Sequence, residues 1–238
     1  GAVFAALVTL ICLLMAFEWV QMTCIHPSRF GLAVLSFVTV AAALAVLMGH
    51  ALIAFSIIVV VAFFGFLGPL ILNARAGFWI GAGAIYTAIP AVSLIWMREG
   101  DGGGVLIAWL LIAIWASDVG GYIFGRWLGG AKLIPMVSPN KTWSGALGGA
   151  LLAGIASMIV ATGFGLGAPL SVAFLGVVVS ILAQVGDVVE SALKRAFQVK
   201  DSGRLIPGHG GVMDRVDGIA FAAPVVALAL SLSNRFMG

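Results

Sequence analysis

Charged side chains are scarce in this chain. Nine acidic and twelve basic residues are spread over 238 positions, 9% of the total, where a soluble domain carries roughly 25%. The hydrophobic share is 62%. A water-soluble fold of this size cannot hide so much apolar surface, so a water-soluble enzyme is excluded, and the same numbers exclude disorder. The net charge of +3 is too small to imply nucleic acid as a partner. Cysteine is nearly absent: Cys12 and Cys24 form no C-x-x-C and pair with no histidine at ligand spacing. A disulfide scaffold and a zinc site are thereby excluded, leaving a packing role. No G-x-x-x-x-G-K-S/T occurs, so no nucleotide would sit on a P-loop. The first apolar run is long and lacks a basic leader, unlike a signal peptide. Because the chain starts at Gly1 rather than Met, it is expected to be trimmed.

What the sequence has in abundance is long apolar runs. Eight stand out, at about 2–17, 31–49, 51–72, 78–97, 104–125, 144–163, 169–190 and 218–234. Each approaches the roughly 20 residues needed to cross a bilayer as a helix. None alternates with a period of two, and lipid tolerates only helices or closed barrels, so the expected class is all-α: a polytopic membrane helix bundle of about eight spans. Strand-like clusters such as Ile57-Ile58-Val59-Val60-Val61 do not change this, because an unpaired sheet edge in hydrocarbon would be very costly.

The basic residues set the orientation. With the charged loop 194–217 in the cytoplasm, the cytoplasmic side holds Arg29, Arg75, Arg126, Lys132, Lys141, Lys194, Arg195, Lys200, Arg204 and Arg215; the outer side holds only Arg98 and Arg235. Both ends of the chain then lie outside. Trp19, Trp79, Trp96, Trp127 and Trp143 fall near span ends, as an interfacial belt requires. Gly121, Gly125 and Gly129 recur every four residues and are expected to line one helix face. Residues 1–110 form an N-terminal membrane region with few polar groups and no legible motif. Residues 111–238 carry nearly all the chemistry, with cytoplasmic loops at 126–143 and 194–217.

Three acidic clusters interrupt the apolar background. They are Asp118, the stretch from Gln184 through Asp187 and Glu190 to Lys194 and Arg195, and Asp214 with Asp217. An ionisable group inside a span costs about 2.5–3.5 kcal/mol even on lenient scales, and usually serves function. At 100° per residue Asp187, Glu190, Ser191 and Lys194 share one helix face, which Gln184 extends. Asp214 and Asp217 share a face if the last helix has begun by then. Carboxylates converging at one depth suit a hard cation such as Mg²⁺, which takes few protein ligands and leaves room for water and phosphate. Plainer roles fit each residue as well. Asp214 and Asp217 could cap a helix, Asp187 could pair with Lys194 or Arg215, and Asp118 could fix helix register.

The basic groups complement the acids. In Ser138-Pro139-Asn140-Lys141-Thr142-Trp143 a Ser-Pro turn runs into the sixth span, and free amides, hydroxyls and Lys141 outline an anion site, or a helix cap with a positive-inside anchor. Five basic residues between 194 and 217 flank Asp214 and Asp217, and Pro207-Gly208-His209-Gly210-Gly211 is a turn at which backbone can approach a ligand closely. Phosphates bridged by metal would explain both features; a solvated basic loop explains only the charges.

Ser191-x-x-Lys194-Arg195, Lys200-Asp201-x-Gly203 and Pro207-Gly208-His209-Gly210-Gly211-x-x-Asp214-Arg215-x-Asp217 together resemble the signature of the phosphatidate cytidylyltransferase (CDP-diacylglycerol synthase) family. Asp118-x-x-Gly121-Tyr122-x-x-Gly125-Arg126, Ser138-Pro139-x-Lys141-Thr142-Trp143 and Gly186-Asp187-x-x-Glu190-Ser191 also resemble family motifs. The likeness is specific over about 115–218 and general before it. Family members usually carry a further N-terminal hydrophobic segment, so this chain is expected to be a shortened member.

The resemblance implies CTP and phosphatidic acid as substrates, CDP-diacylglycerol and pyrophosphate as products, Mg²⁺ as cofactor and, more weakly, K⁺. It also implies an inner-membrane enzyme with its site facing the cytoplasm, and it admits a homodimer. On the family pattern Asp187, Asp214 and Asp217 would hold the metal. Lys141, Lys194, Arg195, Lys200 and Arg215 are then expected to meet phosphates, within a substrate-binding set that includes Ser138, Asn140 and Thr142. His209 would contact a phosphate or assist a departing oxygen, and Asp118 would support the metal or orient a basic residue. Two other readings of the same residues are a CTP-dependent lipid-alcohol kinase and an ion-coupled transporter; a crowd of polar residues at one end of the spans speaks against the transporter.

Overall fold

The computed structural model describes residues 1–23, 29–72, 75–208 and 210–232. Its helices are α1 (Ala2–Thr23), α2 (Arg29–Leu47), α3 (Ala51–Leu72), α4 (Arg75–Glu99), α5 (Gly103–Leu128), α6 (Trp143–Phe164), α7 (Pro169–Ala196) and α8 (Met213–Leu232). All eight are long and apolar enough to cross a membrane. The chain is therefore an all-α, polytopic membrane protein. Its large exposed side chains, among them Leu52, Phe63, Phe64, Leu147 and Leu228, would destabilise it in water and suit a surface that meets lipid.

The backbone contacts divide into two compact units. One comprises residues 1–100 and 196–216, the other residues 101–195 and 217–238. The sequence boundary at 110 and 111 follows composition and motif; these units follow packing.

In the first unit α4 packs against α1, α2 and α3. Its buried residues Ala84, Ala88, Ala91 and Ile95 lie four, three and four residues apart, a single helix face of small side chains that lets neighbouring backbones approach. The buried Thr39 and Thr87 hydroxyls are satisfied within their own helix: Thr39 donates to the Leu35 carbonyl and Thr87 to the Gly83 carbonyl, so neither is offered to hydrocarbon. Cys12 is buried and free, as a packing role requires, while Cys24 lies outside the described residues.

Trp19 departs from the expected interfacial belt. It is only 2% exposed, its indole N–H donates to the Trp79 carbonyl at 2.8 Å, and its ring stacks on Tyr86. With a backbone acceptor supplied inside the bundle, the indole has no need of water. Trp127 and Trp143 are exposed near helix ends, as the belt predicts.

In the second unit α5 and α6 form the closest helix pair. A methyl at Gly120 would lie 2.6 Å from the Gly148 carbonyl oxygen, and one at Gly145 2.7 Å from that of Gly121, so small residues on both helices are what permit the contact. Gly129 does not extend this face. It ends α5 as its C-cap with φ +59, a conformation that favours glycine.

Between α5 and α6 lies a feature the sequence reading did not include. Strands β1 (Lys132–Ile134) and β2 (Ser138–Thr142) pair antiparallel, Lys132 opposite Thr142 and Ile134 opposite Ser138, with an irregularity between. The hairpin leads directly into α6, where Thr142 is the N-cap and accepts from the Gly145 N–H at 3.2 Å. The Ser144 hydroxyl, bonded to the Gly129 carbonyl, ties the same point to the end of α5.

α7 has 28 residues, about 42 Å at 1.5 Å per residue, against roughly 30 Å of hydrocarbon. Its polar C-terminal turns can therefore stand clear of the lipid core while its apolar body spans it. α8 starts at Met213, five residues before the apolar run at 218, so Asp214 and Asp217 do lie one turn apart on a formed helix.

Candidate active site

The polar residues of the second unit lie along one face of α7. Ser180, Gln184, Asp187, Ser191 and Lys194 follow spacings of four, three, four and three. The deepest link joins α7 to α5: the Ser117 and Ser180 hydroxyls are 2.7 Å apart and buried. Gln184 then donates to the Ser180 hydroxyl at 2.9 Å and to the Ala146 carbonyl of α6 at 3.2 Å. Three helices are thus locked in register below the charged groups by the Ser117 and Ser180 hydroxyls and the Gln184 amide.

Above that ladder stands Asp187. Its Oδ2 pairs with Lys141 Nζ at 2.5 Å, and its Oδ1 accepts from the Ser191 hydroxyl at 3.3 Å. This lysine partner comes from β2, a pairing that the plainer sequence reading, with Lys194 or Arg215 as partner, did not include. The hairpin is what delivers it, because Thr142 and Ser144 anchor the strand end on which Lys141 sits. The pair is half-buried, so it remains accessible to a ligand. Lys194 instead bonds Glu190 Oε1 at 3.1 Å, and Glu190 is fully buried. Of the remaining substrate-binding candidates here, Asn140 and Arg195 are exposed, Ser138 is half-buried, and the Thr142 hydroxyl is engaged in capping.

Asp217 joins this group. α7 and α8 approach so closely that a methyl at Gly186 would lie 2.6 Å from the Asp217 carbonyl oxygen. Asp217 Oδ1 accepts from the Gly218 N–H at 2.8 Å. It lies within electrostatic reach of Asp187, Asp118 and Lys141, and Asp118 in turn feels Asp187 and Lys141. Arg126, one turn along α5 from Tyr122, donates to the Tyr122 hydroxyl at 2.8 Å.

Three carboxylates, Asp118, Asp187 and Asp217, therefore share a neighbourhood with the Lys141 ammonium, which leaves excess negative charge at a site built from oxygen donors. That chemistry fits a hard divalent cation. Among the described residues no three His, Cys, Asp or Glu side chains are gathered tightly enough to enclose an ion on their own. A magnesium ion does not need such a cage, being held commonly by one or two carboxylates with phosphate and water completing the shell.

The other sequence-selected residues belong to the first unit. Asp214 Oδ2 accepts from the Ser202 N–H at 3.0 Å, the Ser202 hydroxyl at 3.0 Å and the Gly211 N–H at 2.8 Å. Lys200 and Arg204 are exposed and line a cavity of about 590 Å³ with Phe17, Glu18, Gln21 and Asp201. Arg215 is exposed on the first turn of α8. His209 lies outside the described residues.

One residue escaped the sequence reading altogether. Glu18 of α1, inside a region that showed no motif, is 1% exposed and accepts from the Val212 and Met213 N–H groups, each at 2.8 Å. The signal was present: it is the sole carboxylate in the first 98 residues, directly after the apolar run at 2–17.

A family model described as "Cytidylyltransferase family" matches residues 1–233. Among curated proteins, the phosphatidate cytidylyltransferase of Brucella suis biovar 1 (strain 1330) is 47% identical over 156 residues, which cover 63% of this chain and 56% of that protein. The phosphatidate cytidylyltransferase of Bacillus subtilis (strain 168) is 39% identical over 160 residues, 65% of this chain and 58% of that protein. That of Mycobacterium leprae (strain TN) is 38% identical over 169 residues, 69% and 53%. The chain spans a little over half the length of these relatives.

Proposed function

Because the chain belongs to the cytidylyltransferase family, we propose that it transfers a cytidylyl group from CTP to phosphatidic acid, giving CDP-diacylglycerol and pyrophosphate, at the cytoplasmic face of an inner membrane. The observation that carries the reading is the Lys141–Asp187 pair beside Asp217, in a chain whose curated relatives bear that activity in their names.

The chemistry asks little of the protein in covalent terms. A phosphate monoester is already an anionic nucleophile; its oxygen bonds to the α-phosphorus of CTP as the bond to pyrophosphate breaks. No serine or cysteine is required. The obstacle is repulsion between two anions, so catalysis consists of holding them in line and neutralising them. Lys141 is suited to this: its ammonium rests on Asp187, and it can exchange that partner for a phosphate oxygen without being left uncompensated. Asp118 helps to hold the ammonium in place. Lys194 and Arg195 supply further phosphate contacts, and Lys200 and Arg215 are the first unit's candidates for the same task. In the second unit Asp187 and Asp217 are the residues that would hold Mg²⁺, which when bound would neutralise charge on the attacking and departing oxygens; Asp214, the third carboxylate expected to hold it, takes three donors of the first unit at its Oδ2. The apolar exposed helix surfaces let the acyl chains remain in lipid while the headgroup reacts.

The test is direct. The detergent-purified chain is given CTP, Mg²⁺ and phosphatidic acid, and pyrophosphate and CDP-lipid are measured. Equal formation of both is expected. Release of CDP in place of pyrophosphate would indicate a lipid kinase and refute the reading, as would solute movement into vesicles that needs no CTP.

A further inference from the structure

The proposed reaction leaves Glu18 without a part, yet it is among the most completely enclosed acidic side chains in the chain. It sits between Phe17 and Trp19 in an apolar helix, and burying such a group is costly unless its oxygens are met by donors. The donors all come from one place. Val212 N–H reaches Oε1 and Met213 N–H reaches Oε2, both at 2.8 Å, and the Ser202 hydroxyl is 3.2 Å from Oε2. The two amides stand at the start of α8, where a helix cannot satisfy its own N–H groups and a negative charge is favoured by the helix dipole. That makes Glu18 a cap supplied from another helix, 195 residues away in sequence at Met213.

The same hydroxyl links Glu18 to the signature segment. Ser202 Oγ is also 3.0 Å from Asp214 Oδ2, the oxygen that takes the Ser202 and Gly211 amides. One hydroxyl proton is shared between two carboxylates, and residues 202, 211, 212 and 213 are fastened to α1 as a group. Glycine is needed for the fit. A methyl at Gly211 would lie 2.6 Å from Glu18 Oε2, and one at Gly203 2.7 Å from its carboxyl carbon.

We infer that Glu18 is a positioning residue for the cytidylyl transfer proposed above: it fixes Ser202 and the Val212 and Met213 amides at the start of α8, and so sets where Arg215 stands on that first turn and where Lys200 and Arg204 stand on the cavity that Glu18 helps to wall. The inference rests on the reaction reading and adds to it a residue that touches no substrate.

Glu18→Gln keeps the size of the side chain but turns an amide N–H₂ toward backbone N–H groups that need an acceptor. Hydrogen exchange at residues 202 and 211–213 is expected to accelerate about tenfold or more, with exchange in α2–α4 and the thermal midpoint in detergent unchanged. At the same time kcat should fall between about 10- and 100-fold and KM for CTP should rise. Glu18→Asp, which keeps the charge one methylene short, should recover part of kcat. A merely structural role would lower the amount of folded enzyme and leave KM alone.

Faster exchange with wild-type kcat and KM would overturn the inference, and so would unchanged exchange. If Glu18→Gln does not fold, Ser202→Ala decides: it removes the shared hydroxyl and no charge, and is expected to lower kcat and accelerate exchange at 211–213, whereas wild-type kinetics would overturn the inference. A wild-type chain that makes no CDP-lipid refutes the reaction itself, and with it a part for Glu18 in that reaction; a wild-type chain that works beside an unimpaired Glu18→Gln refutes Glu18 alone.

Discussion

Gly186→Ala should cost activity out of proportion to the one methyl group it adds. Gly186 faces α8 at the level of Asp217, one residue before Asp187. Its new Cβ would lie 2.6 Å from the Asp217 carbonyl oxygen and 3.0 Å from Phe221 Cβ. Ordinary van der Waals contact begins near 3.4 Å, so the shortfall against the carbonyl is 0.8 Å. A flexible side chain could absorb that by turning, but a helix carbonyl cannot; α8 must slide or tilt relative to α7 by a comparable amount. Overpacking of this kind costs about 1–3 kcal/mol in stability. The larger consequence falls on the site. The same displacement separates Asp217 from Asp187 and Lys141, and a misplacement of about 1 Å in a catalytic constellation can cost on the order of 100-fold in rate.

The assay is kcat for CDP-lipid formation, read beside the thermal midpoint in detergent. Gly163→Ala serves as control: it is also a helical glycine, with nothing within 4 Å of the added carbon, and should leave both quantities near wild type. A Gly186→Ala enzyme with kcat within about twofold of wild type would show that the spacing of α7 and α8 does not set the chemistry. The reasoning from contact to rate would then fail.

Other substitutions probe the remaining parts. Asp187→Asn and Asp217→Asn should each lower kcat by at least about 100-fold with the fold retained by circular dichroism; near-wild-type turnover in either would remove that residue from the charge-handling group. Lys141→Ala should raise KM for CTP or for lipid about tenfold, the loss of one charge-assisted hydrogen bond, and unchanged kinetic constants would contradict a phosphate contact. Ser180→Ala orphans the Ser117 hydroxyl and takes an acceptor from Gln184, so it should destabilise by about 1–3 kcal/mol while leaving kcat within a few-fold; thermal melts beside activity would show a wrong assignment if the activity fell first.

The parts of the fold legible in sequence are those that lipid dictates. Eight apolar runs gave eight helices because hydrocarbon leaves the backbone no other option. Boundaries were less legible wherever a helix outlasts its apolar stretch. α7 runs on through Glu190, Lys194 and Arg195, and α8 begins in Met213-Asp214-Arg215, because helical hydrogen bonding does not end where hydrophobicity does. The hairpin at 132–142 was opaque for a different reason. Its strands are three and five residues long, β2 contains Pro139, and neither alternates, so what holds them is the tie of Thr142 and Ser144 to their surroundings. Trp19 misled because tryptophan near a span end has two homes, an interface or a carbonyl inside the bundle, and sequence does not say which carbonyl is near. For the site, the helical face from Gln184 to Lys194 was readable from spacing alone, whereas the Lys141–Asp187 pairing depends on the hairpin and could not be.

The carboxylates sort by the kind of donor that holds them, and the sorting bears on what each can do. Glu18 and the Oδ2 of Asp214 are met by backbone N–H groups at 2.8–3.0 Å, donors that cannot turn away without moving the chain. Glu190 is enclosed against Lys194 on its own helix. Such groups fix geometry. Asp187 is held by an ammonium at the end of a flexible side chain and by a hydroxyl, both of which can turn to a new partner as a ligand arrives. The proposed reaction, which brings two polyanions together and releases two, would need both kinds. Rigid carboxylates keep helix ends in place, and exchangeable ones would be able to trade a lysine for a cation without leaving a charge unpaired in a medium where that would be costly. The same rule gives Glu18, near the C-terminal end of α1, its hold on α8: its oxygens take the Val212 and Met213 amides just ahead of Asp214, so a change at Glu18 is felt first at the start of that helix.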